Sequence, residues 1–211
     1  MMIKIYYASL EQPLSNIDFQ TKMKLLPLMM QNKILRLRHS VDQQVSLIGK
    51  LLLKKGMMDL GFEHLFAQVQ YSSYGRPYVD DELDFNISHS GCYVVCAFSV
   101  GGSIGIDIEQ VRVLDMKDFK RVFHKEEWAD IQSAVNRYQV FFDYWTAKES
   151  VIKAVGKGMS IPLKSIFVSN KQSIFEDSVW HHKQILLFEH CICQIASDKL
   201  IDDVDLYEMK F

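Results

Sequence analysis

The sequence predicts an α+β fold, and three observations lead there. Elements are grouped: a helix-rich stretch over 18–55 precedes strand-like runs over 69–109, and helical segments over 115–155 precede strand-like runs from 165 onward. The chain has 211 residues, 48% of them hydrophobic, which is ample core for one large domain or two small ones. The closing runs of the two groups, Tyr93–Ser99 and Cys191–Ser197, are faintly alike, too weakly to establish a repeat.

The elements follow in order. Residues 2–8 read as a strand, ended near Pro13. Residues 18–39 mix apolar and basic positions and hold one or two helices, interrupted near Pro27. Asp42 to Lys55 is a helix, with Val41, Val45, Ile48 and Leu52 at near-helical spacing and Gly56 as its end signal. Gly49 inside it is either tolerated or needed for close approach. Val69–Ser72, Phe85–Ser88, Tyr93–Ser99 and Ile104–Glu109 read as strands, with Gly101-Gly102 turning between the last two. Asp115–Val122 and Lys125–Val135 are short helices. Tyr138–Val155 is the longest helix, ended by Gly156 and Gly158. Strands are expected near Ser165–Ser169, Gln184–Phe188, Cys191–Ala196 and Asp205–Met209.

A net charge of −2 argues against a general nucleic-acid binder. The balance is uneven, +6 over residues 1–55 and −8 over the rest, so the first quarter can hold the anionic end of a ligand or simply present a solvated helix face. No apolar run reaches the ~18 residues of a membrane span, and Met1–Tyr7 lacks the features of a cleavable leader. A cytoplasmic protein is expected. The spacings of Cys92 and Cys96, and of Cys191 and Cys193, are not those of structural zinc and read as free thiols.

The chemistry concentrates in two segments. In Gly105-Ile106-Asp107-Ile108-Glu109 a strand places Asp107 and Glu109 on one face and both isoleucines on the other. In the helix containing Trp145 to Lys153, Glu149 lies one turn before Lys153. Two strand carboxylates and one helix carboxylate suit Mg²⁺, which completes its shell with waters and substrate phosphates; the lysine suits a phosphate.

These segments resemble the 4′-phosphopantetheinyl transferases, in the longer type that activates peptide synthetases. Tyr74-Gly75-Arg76-Pro77-Tyr78, Phe85-Asn86-Ile87-Ser88-His89-Ser90-Gly91 and Gly156–Leu163 fall in the family's order, so the resemblance covers about 74–163. It implies two similar α+β halves about a pseudo-twofold axis, 1–102 and 103–211, with the site between them. It also implies a monomer that moves 4′-phosphopantetheine from coenzyme A to a serine of an apo acyl or peptidyl carrier protein. The metal ligands would be Asp107, Glu109 and Glu149. The base would be Glu149 or a water on its metal, ahead of Glu127 and Lys148. Cofactor contacts would come from Lys33, Arg76, Ser88, His89 and Lys153. Met30 and Val45 stand where related chains often carry Lys and Arg; either Arg36, Arg38 or His39 substitutes, or the register shifts, or the 3′-phosphate is held weakly. The segment 111–124 would help dock the carrier, or else pack into the core. Rival readings are a Mg²⁺-dependent nucleotide phosphohydrolase and a non-catalytic coenzyme A-binding regulator.

Overall fold

The computed structural model describes residues 2–80 and 82–211. The first group comprises β1 (Ile3–Ser9), helices α1 (Asn16–Met23), α2 (Leu28–Leu35) and α3 (Ser40–Asp59), the short β2 (Gln70–Tyr71) and β3 (Pro77–Tyr78), then β4 (Leu83–Ser90) and β5 (Tyr93–Val100). The second comprises β6 (Ile104–Gln110), a 3₁₀ segment Met116–Val122, α4 (Lys125–Ser133), α5 (Arg137–Val155), β7 (Phe167–Ser169), β8 (Gln172–Phe175), β9 (Ser178–Ile185), β10 (Cys191–Ser197) and β11 (Val204–Glu208). The α+β expectation holds, and the layout is that of two related halves.

Two sheets stand back to back. The first has the order β11-β1-β5-β4 and the second β6-β10-β9-β8-β7. Between them lies an aliphatic layer, Ile3, Ile5, Val95 and Ala97 against Ile104, Ile106, Ile108 and Ile195. Helices α1–α3 cover the outer face of the first sheet, and α5 with α4 covers the second. The last strand crosses over: β11 pairs parallel with β1, Ile3 opposite Val204 through Tyr7 opposite Glu208. The tail of the second half is thus part of the first sheet.

The edge strands β4 and β6 meet without a backbone ladder. Alternate side chains of β4 supply the acceptors instead. Backbone N–H groups of Ile104, Ile106, Ile108 and Gln110 donate to Asp84 Oδ2 (2.8 Å), Asn86 Oδ1 (3.1 Å), Ser88 Oγ (3.3 Å) and Ser90 Oγ (3.1 Å). The period-2 polar positions thereby satisfy an edge that would otherwise stay unpaired inside the protein.

Three local expectations are corrected. Gly56 is interior to α3, not its end: a Cβ there would fall 2.2 Å from the Phe98 ring, so glycine lets that ring seat against the helix. The strand expected at Gln184–Phe188 is the longer β9, earlier in the chain, and β8 was not anticipated. The helix expected over Asp115–Val122 is a 3₁₀ segment, Met116–Val122, whose Met116 is buried.

Gly105 sets the approach of α5 to β6. An added Cβ would lie 1.9 Å from the Ser150 carbonyl oxygen and 2.6 Å from Ala154 N, both backbone atoms of α5. Gly105→Ala must push the helix away and should destabilise the protein by about 1–3 kcal/mol or more. An unchanged denaturation midpoint would show that the helix does not pack this closely.

His182 sets an acid limit. It is buried, its Nε2 2.9 Å from Ser173 Oγ, and burial, with His181 adding to it, holds its pKa down near 4. The unfolded chain takes up this proton near pH 6.5, whereas the folded one does not until about pH 4. Stability should therefore fall as pH drops across that window, by on the order of 2–3 kcal/mol from this group. Denaturant titrations of His182→Gln should show a shallower acid slope than wild type; an equal slope would assign the loss elsewhere.

Candidate active site

The alternation that buries Ile106 and Ile108 between the sheets turns Gly105, Asp107 and Glu109 toward α5. Asp107 and Glu109 meet Glu149 and Lys153 of α5 across a cleft of about 290 Å³, walled also by Ile87, Ser88, His89 and Trp145. Each half contributes: β4 brings Ser88 and His89, β6 the strand carboxylates, α5 the helix pair.

Asp107 is buried at its centre. Its Oδ1 accepts from Lys153 Nζ (2.6 Å) and Ser88 Oγ (3.0 Å), while its Oδ2 is buried with no hydrogen-bond partner among the described residues. Lys153 also donates to Ser88 Oγ at 2.7 Å, so serine, lysine and aspartate form a closed triangle. Glu109 accepts from Ser90 Oγ at 2.8 Å, and burial raises its pKa, with Asp107 adding to it. Burial pushes the Glu149 carboxyl up to about 6, with Asp107 and then Glu109 adding repulsion and Lys153 opposing it. No hydrogen bond is made to Glu149 by the described residues.

Three mutually repelling carboxylates and an orphaned buried oxygen are a donor set for a hard cation. As the side chains stand, no three acidic, His or Cys groups among the described residues are close enough to share one ion, and Lys153 occupies Asp107 Oδ1. The residues fit such a cation in kind.

His89 stands on the rim. Desolvation lowers its pKa first, then Lys153; Asp42 and Asp107 oppose that, and Lys50 reinforces it. Beyond Ile87 and His89 a second pocket of about 200 Å³ opens, lined by Met30, Val45, Ser46, Gly49, Lys50, Leu53, Tyr71 and Pro77. Lys33 reaches its mouth, with Nζ 3.0 Å from the centre of the Tyr71 ring. Met30 and Val45 are buried parts of the wall.

Family profiles match both halves of the chain. The profile described as 4′-phosphopantetheinyl transferase, N-terminal matches residues 12–100, and that of the 4′-phosphopantetheinyl transferase superfamily matches 103–198. The chain is 34% identical over 172 residues to 4′-phosphopantetheinyl transferase Sfp of Bacillus subtilis, covering 79% of this chain and 76% of that one. The chain belongs to the 4′-phosphopantetheinyl transferases. Within them it is of the Sfp type. It is also 42% identical over 135 residues to 4′-phosphopantetheinyl transferase gsp of Aneurinibacillus migulanus, a match spanning 63% of this chain and 56% of that relative. With the L-aminoadipate-semialdehyde dehydrogenase-phosphopantetheinyl transferase of Schizosaccharomyces pombe it shares 32% identity over 153 residues, 61% of this chain and 58% of the other.

Some residues that the sequence linked to the transferase site lie elsewhere. Glu127 and Lys148 are not brought into the cleft. Both are buried and paired at 2.9 Å; Glu127 also accepts from the backbone N–H of His124 (2.8 Å) and Val168 (2.9 Å), and Lys148 donates to the carbonyls of Leu163 and Ile166. They clamp α5 to the start of α4 and to β7. Arg76 is turned away as well. Its Nη2 donates to Asp84 Oδ1 and Oδ2, both at 2.8 Å, and to the Ile104 carbonyl at 3.1 Å, tying its loop to β4 and β6. In the expected docking segment Met116 is core and Phe119 packs edge-on against Phe141 and Trp145, so neither is a free contact. The exposed part of that segment borders a groove of about 1020 Å³ lined by Lys117, Lys120, Arg121, Lys125 and Lys164 around Phe123 and Trp128. No helix of the described residues is long and apolar enough to cross a membrane.

The sequence reading missed the acceptor role of Asp84, Asn86, Ser88 and Ser90; their strict alternation was the available signal. It also did not single out Lys50, which lines the second pocket.

Proposed function

We propose that this chain transfers 4′-phosphopantetheine from coenzyme A to a serine hydroxyl of an apo acyl or peptidyl carrier protein, with Mg²⁺, releasing adenosine 3′,5′-bisphosphate. The observation that carries this reading is the convergence of Asp107, Glu109, Glu149 and Lys153 in one cleft that Ser88 and His89 of the other half complete. Family membership supports it.

The serine oxygen forms a bond to the β-phosphorus of the donor's diphosphate, and the bond from that phosphorus to the bridging oxygen breaks. Asp107, Glu109 and Glu149 would hold Mg²⁺, which when bound neutralises diphosphate charge. Lys153 is free to exchange its contact with Asp107 for a phosphate oxygen, a charge-assisted bond of the same kind. Ser88 holds both partners in place while it does so. Glu149 alone of the three carboxylates has no hydrogen bond from the described residues, which leaves it able to accept the serine proton. The basic groove, with Asp118 its one acidic lining residue, suits an acidic carrier surface. Residues 1–102 would carry most nucleotide contacts and 103–211 the metal site and docking surface. On this reading the chain works as a monomer in the cytoplasm, a compartment that its four free thiols suit.

Incubation with coenzyme A, Mg²⁺ and a panel of apo-carriers, read by mass spectrometry, tests the reading. A pantetheine adduct on a carrier serine is expected. Cleavage of coenzyme A without a carrier would favour the phosphohydrolase, and tight binding with no turnover the regulator.

A further inference from the structure

Among the described residues Lys50 is a cation without a counter-ion. It projects from α3 into the second pocket, half-buried, and among the described residues its Nζ donates only within its own helix, to Ser46 Oγ at 2.8 Å and the Ser46 carbonyl at 3.3 Å. Among the described residues no carboxylate lies within ion-pair distance of it. A second ammonium is nearby: burial draws the Lys50 pKa down to about 8, and Lys33 adds to the effect. An unpaired, partly desolvated ammonium with a second one in its field is unfavourable until an anion arrives. Met30, Val45, Leu53, Tyr71 and Pro77 in the walls of the pocket exclude water without offering charge. It shares Ile87 and His89 with the carboxylate cleft, so one extended molecule can occupy both.

Coenzyme A carries two separate anionic groups, the diphosphate that reacts and a phosphate monoester on the ribose. The cleft with Lys153 accounts for the first. We propose that Lys50 is a specificity-determining residue of the donor site, receiving with Lys33 and Ser46 the ribose phosphate monoester that Met30 and Val45 are too apolar to hold. This rests on the transfer reading above. A dianionic monoester takes several donors at once, and this corner offers two ammonium groups and a hydroxyl. Helix α3 fixes Lys50 in place, because Gly49 beside it sits against β4: a Cβ there would be 3.0 Å from Ile87 Cγ2.

The test compares coenzyme A with dephospho-coenzyme A, which differs only in lacking that monoester, by calorimetry on the full chain. Wild type should bind coenzyme A at least ~tenfold more tightly, the scale of one charge-assisted hydrogen bond. Lys50→Met should lose most of that ratio, and Lys50→Arg should keep it. The ratio within one sample does not depend on how much of the variant is folded. An unchanged ratio in Lys50→Met overturns the inference, as does equal weakening of both donors, which would put Lys50 on the diphosphate. If wild type transfers pantetheine while the ratio does not move, this inference alone falls. If wild type neither binds coenzyme A nor transfers, the transfer reading falls with it.

Discussion

Asp107→Asn should leave the fold intact and reduce pantetheine transfer by about 10²-fold or more. The substitution keeps size and shape. An amide oxygen can still accept from Ser88 and Lys153, which bond to Oδ1 at 3.0 and 2.6 Å, and the amide nitrogen replaces an Oδ2 that has no partner. Only the charge disappears. If Asp107 anchors Mg²⁺ and poises Lys153, that charge is what the reaction needs. The transfer rate at limiting and saturating Mg²⁺, with circular dichroism as the control for folding, measures it. A wild-type rate at limiting Mg²⁺ would remove Asp107 from the metal assignment. Glu109→Ala should be milder if that side chain acts through a water, since Glu109 lies further along the strand and is held by Ser90.

The site was legible where chemistry follows from strand geometry. Alternation in Gly105–Glu109 requires both acids to share a face, and the fold puts that face against α5. The spacing of Glu149 and Lys153 was equally readable, because one helical turn brings both to the same cleft. Residues whose partners are distant in sequence were not. The family resemblance implies a cofactor contact for Arg76, yet Asp84, eight residues on, takes its guanidinium at 2.8 Å. Whether Met116 and its segment dock a partner or pack into the core stayed open, because a short 3₁₀ segment has no clear period from which to read burial. The crossing of β11 into the first sheet depends on a parallel pairing across the whole chain, which local pattern does not encode. Gly56 resembled a stop signal, and only the Phe98 ring explains it.

Lys148 and Glu127 give the second large effect. Lys148→Met should destabilise the protein by about 3–5 kcal/mol, because the Glu127 carboxyl would stay buried without its partner. Two backbone N–H groups would still serve that carboxylate, but they carry no full charge to balance it. Adding Glu127→Gln should cost less than the sum of the two single changes, with a coupling of about 1–3 kcal/mol by double-mutant cycle. Function separates the two roles open to this lysine. It directly precedes Glu149, yet its ammonium points away from the cleft toward the carbonyls of Leu163 and Ile166. If the pair is a clamp, the transfer rate per folded molecule should stay near wild type well below the melting temperature, and lost activity should track lost fold. A Lys148→Met protein that is fully folded, binds coenzyme A normally and does not transfer would place the lysine in the chemistry, and the clamp would not be its main role.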